Sequence, residues 1–386
     1  MPIHKNIKLL SIFNFLIGFH LYSAILVIYF AKITGSYALA MSIFSITFIS
    51  SAIFEIPTGI FSDMIGRKKT VVLGALSLLL TTIFYALGHS YLILVIGAIF
   101  EGLARSFFSG NNNALLYDTL AEEQTTDKYH RYLGKVSSTE QAALAIGAVI
   151  GGFIANISLS LVMWLSVIPN IVLVMISLGL VETRKYINES GNIYSHLKEA
   201  LGLFRKNYRL KLLSITSATG FALGESGFQF QPIFINSLWP LWAVGVARAF
   251  SFIGGSISFY FAGPIIQKLK ALNTLIINSI VSRLLNLLAL IFPTIASPAI
   301  MSATSLAYGS SEVAKNSLLQ KEFSDEQRAT LGSINSLAGS ILFGVVSFSL
   351  GLFADKIGPL RALIIINILL AIPILLLWKL FHHERN

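Results

Sequence analysis

Eight charged side chains interrupt stretches that are otherwise apolar: Glu55, Glu101, Arg105, Glu140, Glu225, Arg248, Arg283 and Glu312. Glu101 and Arg105 are four residues apart, on one face if their stretch is helical. Glu225 has Gln229 one turn on and no cation one turn away; its helical neighbours are Phe221, Ala222, Phe228 and Gln229. A carboxyl in such surroundings is suited to taking up and releasing a proton, and a guanidinium to gripping a carboxylate or phosphate through two parallel hydrogen bonds. His20 is a further proton relay candidate, and Asn14, Asn111, Asn112, Asn113, Gln229 and Tyr308 add polar groups to similar stretches. Each has a plainer alternative. Glu101 and Arg105 could neutralise each other, Arg283 could form a structural pair or snorkel, and Glu140 could tie helices through Arg105 or the loop after it. A lone His is commonly a hydrogen-bonded packing residue. There is no Cys, so thiolate chemistry is excluded. No phosphate-cradling G-x-x-x-x-G-K-[ST] loop, metal-ligand cluster or catalytic triad spacing occurs, so neither a cofactor, a metal nor an enzyme is expected.

The elements that position these groups are set by composition. Of 386 residues, 55% are hydrophobic and 12% charged, against about 25% charged in a soluble domain. Mean hydropathy is +0.74. The chain reads as an all-α membrane protein, since a bilayer core needs roughly 20 apolar residues per helix. Twelve runs meet that requirement, at about 9–31, 38–61, 70–88, 91–113, 133–156, 159–181, 211–235, 238–262, 272–292, 295–314, 331–353 and 360–380. Charges inside such helices cost roughly 2.5–3.5 kcal/mol each, which makes every one a functional candidate.

Net charge is +10, and its placement matters more than its sum. With the N-terminus inside, cytoplasmic segments hold 22 of the 28 lysines and arginines; external segments hold Lys32, Lys356 and Arg361. Both termini are therefore expected in the cytoplasm, and nucleic acid is not an expected partner. The longest loop, about 182–210, contains IYSHLKEALGLFRKNYR, with Ile193, Leu197, Leu201, Phe204 and Tyr208 at helical spacing. It reads as an amphipathic helix on the cytoplasmic face, held by anionic lipid. The loop separates a bundle of residues 1–181 from one of 211–386, each with six helices.

The two halves look repeated: ALLYDTLAEEQTTDKYHRYLGK after the fourth run and KNSLLQKEFSDEQRATLGSI after the tenth both lead through an Arg to Leu-Gly and the next helix. Between runs two and three, Gly59, Asp63, Gly66, Arg67, Lys68 and Lys69 spell G-x-x-x-D-x-x-G-R-K-K. This resembles the signature loop of the major facilitator superfamily, and FEIPTG, ALLYD and RAT resemble one bacterial subgroup, many of whose members are drug/proton antiporters. The resemblance implies two pseudo-symmetric six-helix bundles, with helices one, four, seven and ten around a central cavity. It implies that Asp63 latches the halves together in the outward-facing state. In run five, Gly147, Gly151 and Gly152 resemble the antiporter motif G-P-x-x-G-G, with Ala148 in place of Pro.

On this basis the chain reads as a monomeric secondary transporter in the cytoplasmic membrane, moving a small organic solute by alternating access. Coupling to protons through Glu225, with Glu101 and Glu312 next in line, is expected, and export is favoured. The substrate would meet Arg105, Arg248, His20, Asn14, Asn112, Gln229 and Tyr308. If both arginines face the cavity, an anionic polycarboxylate or siderophore-like solute is the alternative. A non-transporting receptor on the same scaffold is the other class, although no soluble signalling domain is attached.

Overall fold

A computed structural model describes residues 2–109, 111–122, 124–126, 129–183, 207–322 and 328–385. The described residues are helical almost throughout and contain no strand. The amphipathic stretch expected in the 182–210 loop lies mostly outside them.

The chain forms two compact units, one of Met1–Ile187 with Trp239–Phe252, the other of Asn188–Leu238 with Ile253–Asn386. In the first, α1 (Pro2–Gly18) and α2 (Leu26–Thr34) make a broken first run, followed by α3 (Tyr37–Ile65), α4 (Arg67–Leu87), α5 (Tyr91–Phe108), α6 (Asn111–Glu122), α7 (Tyr129–Ile157) and α8 (Leu159–Leu178). The second contains α9 (Tyr208–Leu238), α11 (Ala262–Leu269), α12 (Ala271–Ile291), α13 (Ser297–Ala303) with a 3₁₀ turn over Thr304–Ala307, α14 (Tyr308–Lys321), α15 (Arg328–Ile357), α16 (Pro359–Leu369) and α17 (Ala371–Arg385). Helix α10 (Leu241–Tyr260) contributes to both.

Among the described residues, nine stretches are long and apolar enough to cross a membrane. The three expected runs outside this set are informative. The first is interrupted between Gly18 and Leu26, and the tenth is interrupted by the 3₁₀ turn. The seventh is one helix of 31 residues diluted by Ser, Thr, Gly, Glu225, Gln229 and Gln231. The fourth also breaks, between Phe108 and Asn111. These are the four runs that the family resemblance places at a cavity, and non-helical backbone at membrane depth is tolerated only where protein buries it or a cavity wets it.

Helix caps and turns are local in origin. Ser36 and Ser158 accept the N–H of Leu39 and Leu161 at 3.2 and 3.3 Å, starting α3 and α8. In the first unit α4 packs on α5 and α8, and α1 on α7. Its core includes Leu10, Phe13, Val71, Leu78, Leu115 and Leu173. In the second, α9 packs on α15 and α12 on α14, around Leu213, Leu272, Leu318, Leu331 and Leu377.

Candidate functional site

In the first unit the site is organised by the break in the first run. α1 ends at Gly18, and the chain turns through Phe19–Ile25 by short bonds, His20 N–H to the Gly18 carbonyl at 2.8 Å and Ile25 N–H to the Tyr22 carbonyl at 3.0 Å. The glycines of α7 make room for this segment. A Cβ at Gly147 would stand 3.1 Å from the His20 carbonyl oxygen, and one at Gly151 would run into the carbonyl of Leu21. On the adjoining face, Gly152 meets the backbone of Trp242 and Gly245 of α10, with the Phe153 and Trp242 rings stacked 5.4 Å apart. The antiporter-like glycines thus seat an unwound segment and an intimate helix crossing.

The segment carries His20 and Tyr22 into an aromatic and polar cluster. Their rings lie 5.1 Å apart, and the buried Nδ1 of His20 has no hydrogen-bond partner among the described residues. Tyr22 meets Tyr85 edge-on at 6.3 Å. The Tyr85 hydroxyl donates to Glu101 Oε2 at 2.7 Å, and the Thr47 hydroxyl donates to the same oxygen at 3.5 Å. Tyr29 donates to the Tyr85 carbonyl at 2.6 Å, fixing the ring that holds the carboxylate. Arg105 does not neutralise Glu101 directly: no ion pair within 4 Å joins them among the described residues, and the guanidinium lies 4.4 Å over the Phe48 ring. That stacking leaves its planar fork available, because a cation over a ring face keeps its in-plane donors. Nor does Glu140 tie to Arg105; its backbone carbonyl faces Gly18. Arg248 is 5% exposed, with its guanidinium carbon 5.8 Å from the Phe252 centroid.

In the second unit Glu225 Oε1 accepts from Gln229 Nε2 at 2.7 Å, one turn along α9. Tyr308 is 58% exposed and stands edge-on to Phe259. Around Glu312, Lys315 lies 2.6 Å away, one turn on, and Asn316 donates at 3.3 Å. Its two partners are thus both on its own helix. Asn14 is buried and donates to its own helix, to the Leu10 carbonyl at 2.8 Å, so that half of its amide serves α1. The Oδ1 of Asn112 is buried without a hydrogen-bond partner among the described residues. Arg283 donates to Asn367 Oδ1 at 3.2 Å, between α12 and α16.

The signature stretch is more helical than its composition suggests. α3 continues through Gly59 and Asp63, and the expected two-glycine loop contracts to Gly66 alone, at φ 99°. Charged residues can extend a helix beyond the apolar core because their heads reach water, so hydropathy underestimates its length. Gly59 has open space around it. The Asp63 side chain lies outside the described residues. Arg67 donates to Asn111 Oδ1 at 2.9 Å and to Ser62 Oγ at 3.1 Å, and Ser62 also bonds to Asn111. Asn111, one of the polar residues of the fourth run, therefore belongs to this network.

Lys68 and Lys69 open α4, and its N-terminus is capped from a distance. Both Glu182 carboxylate oxygens accept the Lys68 N–H at 3.2 Å, directly over Gly66. Asn6 holds the preceding residue in place, accepting the Val181 N–H at 2.8 Å and donating to its carbonyl at 3.0 Å. Glu182, Asn6, Tyr85 and Thr47 carried no periodicity or motif that would single them out in sequence. Glu182→Ala should lower stability by about 1 kcal/mol, through loss of the cap and its attraction to the helix dipole. Thermal melting at low and high salt checks this, the difference shrinking as salt screens the dipole contribution.

The sequence pattern described as Major Facilitator Superfamily matches residues 9–347. The chain is 21% identical over 171 residues to quinolone resistance protein NorA of Staphylococcus aureus (strain MSSA476), spanning 44% of this chain and 42% of that one. It is 23% identical over 354 residues to the uncharacterized MFS-type transporter YxaM of Bacillus subtilis (strain 168), covering 85% and 84%. Among solved structures, a point mutant of the nucleoside transporter NupG superimposes with a TM-score of 0.84 at 17% identity, covering 97% of this chain and 99% of that chain.

Proposed function

The chain belongs to the Major Facilitator Superfamily and is a multi-pass membrane transporter; from that premise we propose that it exports a small organic solute in exchange for protons, by alternating access between two six-helix bundles with both termini in the cytoplasm. The partial similarity to a quinolone resistance protein supports the direction. The observation that carries proton coupling is Glu225, whose carboxylate takes its hydrogen bond from a neutral amide of its own helix. Glu101, held by two neutral hydroxyls, is the second proton site. In this proposal His20, Asn112 and Arg105 are the substrate-binding groups of the first unit, and Gln229 and Tyr308 those of the second. Asp63 is proposed as the latch of the outward-facing state, working beside the Arg67–Asn111–Ser62 network.

Purified protein in liposomes, given an imposed pH gradient and a panel of cationic, neutral and anionic solutes, tests this directly. Gradient-driven accumulation of at least one solute is expected; none across the panel, with the protein folded, overturns proton-coupled transport.

One observation favours an anionic solute: Arg105, stacked on Phe48, has no ion-pair partner within 4 Å among the described residues. Arg105→Lys keeps the charge but loses the planar fork. Binding of a carboxylate-bearing substrate should weaken by roughly tenfold or more, the worth of one charge-assisted hydrogen bond, in an equilibrium titration. Unchanged affinity would assign Arg105 a packing role.

A further inference from the structure

The two units repeat one local device. In the first, a single residue of positive φ, Gly66 (φ 99°, ψ 160°), joins α3 to α4, and Thr70 donates its hydroxyl to the Gly66 carbonyl at 2.8 Å. In the second, Lys270 (φ 67°, ψ 152°) joins α11 to α12, and Thr274 donates to the Lys270 carbonyl at 2.9 Å. The first turn of α4 is occupied by a carboxylate of the chain itself, Glu182. The first turn of α12 has no side-chain cap and no acid. Instead it opens into a cavity of about 570 Å³.

The lining of that cavity is cationic and apolar. Lys270 and Lys321 supply the charge, Asn273 and Ser317 hydrogen-bonding groups, and Ile266 and Phe381 part of an apolar wall. Among the described residues no acidic one lines it. Among the described residues neither lysine is in an ion pair; the neighbouring Glu322 is engaged by Arg209 at 3.3 Å and Asn207 at 3.0 Å. Lys270 also occupies a backbone conformation favoured by glycine, an outlier of the kind that clusters at ligand sites. Two uncompensated cations and open helix N–H groups call for an anion, and the apolar wall calls for a chain attached to it. The lysine and arginine distribution marks this end of the helices as cytoplasmic, where anionic lipid is concentrated.

We propose that this cavity binds the phosphate headgroup of an anionic phospholipid, with Lys270 and Lys321 on the phosphate and an acyl chain along Ile266 and Phe381. The lipid anion would do for α12 what Glu182 does for α4.

Native mass spectrometry of the full chain, titrated with phosphatidylglycerol and with phosphatidylcholine of the same acyl chains, reads the site. The unmodified protein should prefer phosphatidylglycerol by at least about tenfold, since each lysine near an anionic headgroup contributes roughly fivefold. The double variant Lys270→Gly, Lys321→Gln should bring the preference to within about twofold. Glycine suits the backbone at position 270, and Lys321→Gln alone, expected to lose about fivefold, stands in should the double variant unfold. Lys268→Gln, outside the lining, should keep the preference. The proposal is overturned if the unmodified protein shows no preference, if Lys268→Gln loses as much as the cavity variants, or if millimolar inorganic phosphate displaces the lipid, which would make the ligand a free anion.

Discussion

Glu225→Gln is expected to abolish pH-driven accumulation while leaving exchange of substrate at equal pH within about a factor of two. A pH difference of one unit is worth about 1.4 kcal/mol per proton, so one-for-one coupling sustains about tenfold accumulation. Without the proton-binding group the ratio should fall to unity. The substitution is conservative in every other respect: the glutamine carbonyl can still accept from Gln229 Nε2, which stands 2.7 Å from Glu225 Oε1, and volume is unchanged. The physical basis is the cost of an ionised carboxylate at membrane depth, where among the described residues Glu225 takes its hydrogen bond from a neutral amide. A site that meets water from alternate sides can bind its proton on one and release it on the other. Glu312→Gln should have a far smaller effect on coupling, because Lys315 at 2.6 Å balances its charge locally. Normal pH-driven accumulation by the Glu225 variant would transfer the coupling role to Glu101, held by Tyr85 and Thr47.

Gly151→Ala should destabilise the first unit by about 1–3 kcal/mol, the usual cost of overpacking, and reduce transport more than stability alone explains. The added methyl would meet the carbonyl of Leu21, part of the unwound segment that carries His20 and Tyr22. A clash with backbone has no rotamer that relieves it, so either α7 or the segment must shift. Either movement displaces His20 and Tyr22 relative to Tyr85 and Glu101, and sub-ångström changes of position weaken polar recognition steeply. Gly59→Ala is the matched control. Gly59 lies inside α3 with nothing within 4 Å, so alanine there should be neutral or stabilising by about 0.5–1 kcal/mol. Thermal melting combined with flux in liposomes separates the cases. A Gly151→Ala protein that melts and transports normally would refute the seating role of the α7 glycines.

Much of this protein was determined by its sequence alone. The bilayer imposes a length and an apolar composition on every crossing segment, so hydropathy located the runs, and the spacing G-x-x-x-D-x-x-G-R-K-K with its cations carried the family. The interior charges were equally legible, because few residues of their kind occur in apolar runs. What each charge does was decided only by tertiary structure. Helical spacing predicted that Glu101 could meet Arg105, yet residues remote in sequence, Tyr85 and Thr47, claim the carboxylate and Phe48 the guanidinium. Glu312 stood beside Glu225 as a proton-coupling candidate, and only the structure shows Lys315 closing a pair with it one turn away. The glycines of α7 were legible as a resemblance to the antiporter motif, but not as the seat of an unwound stretch of the first run. Glu182 carried no signal at all, since its role depends on the helix end that folding brings beside it. Periodicity reports the environment a residue requires; its partner is fixed by contacts across the fold, which local sequence does not encode.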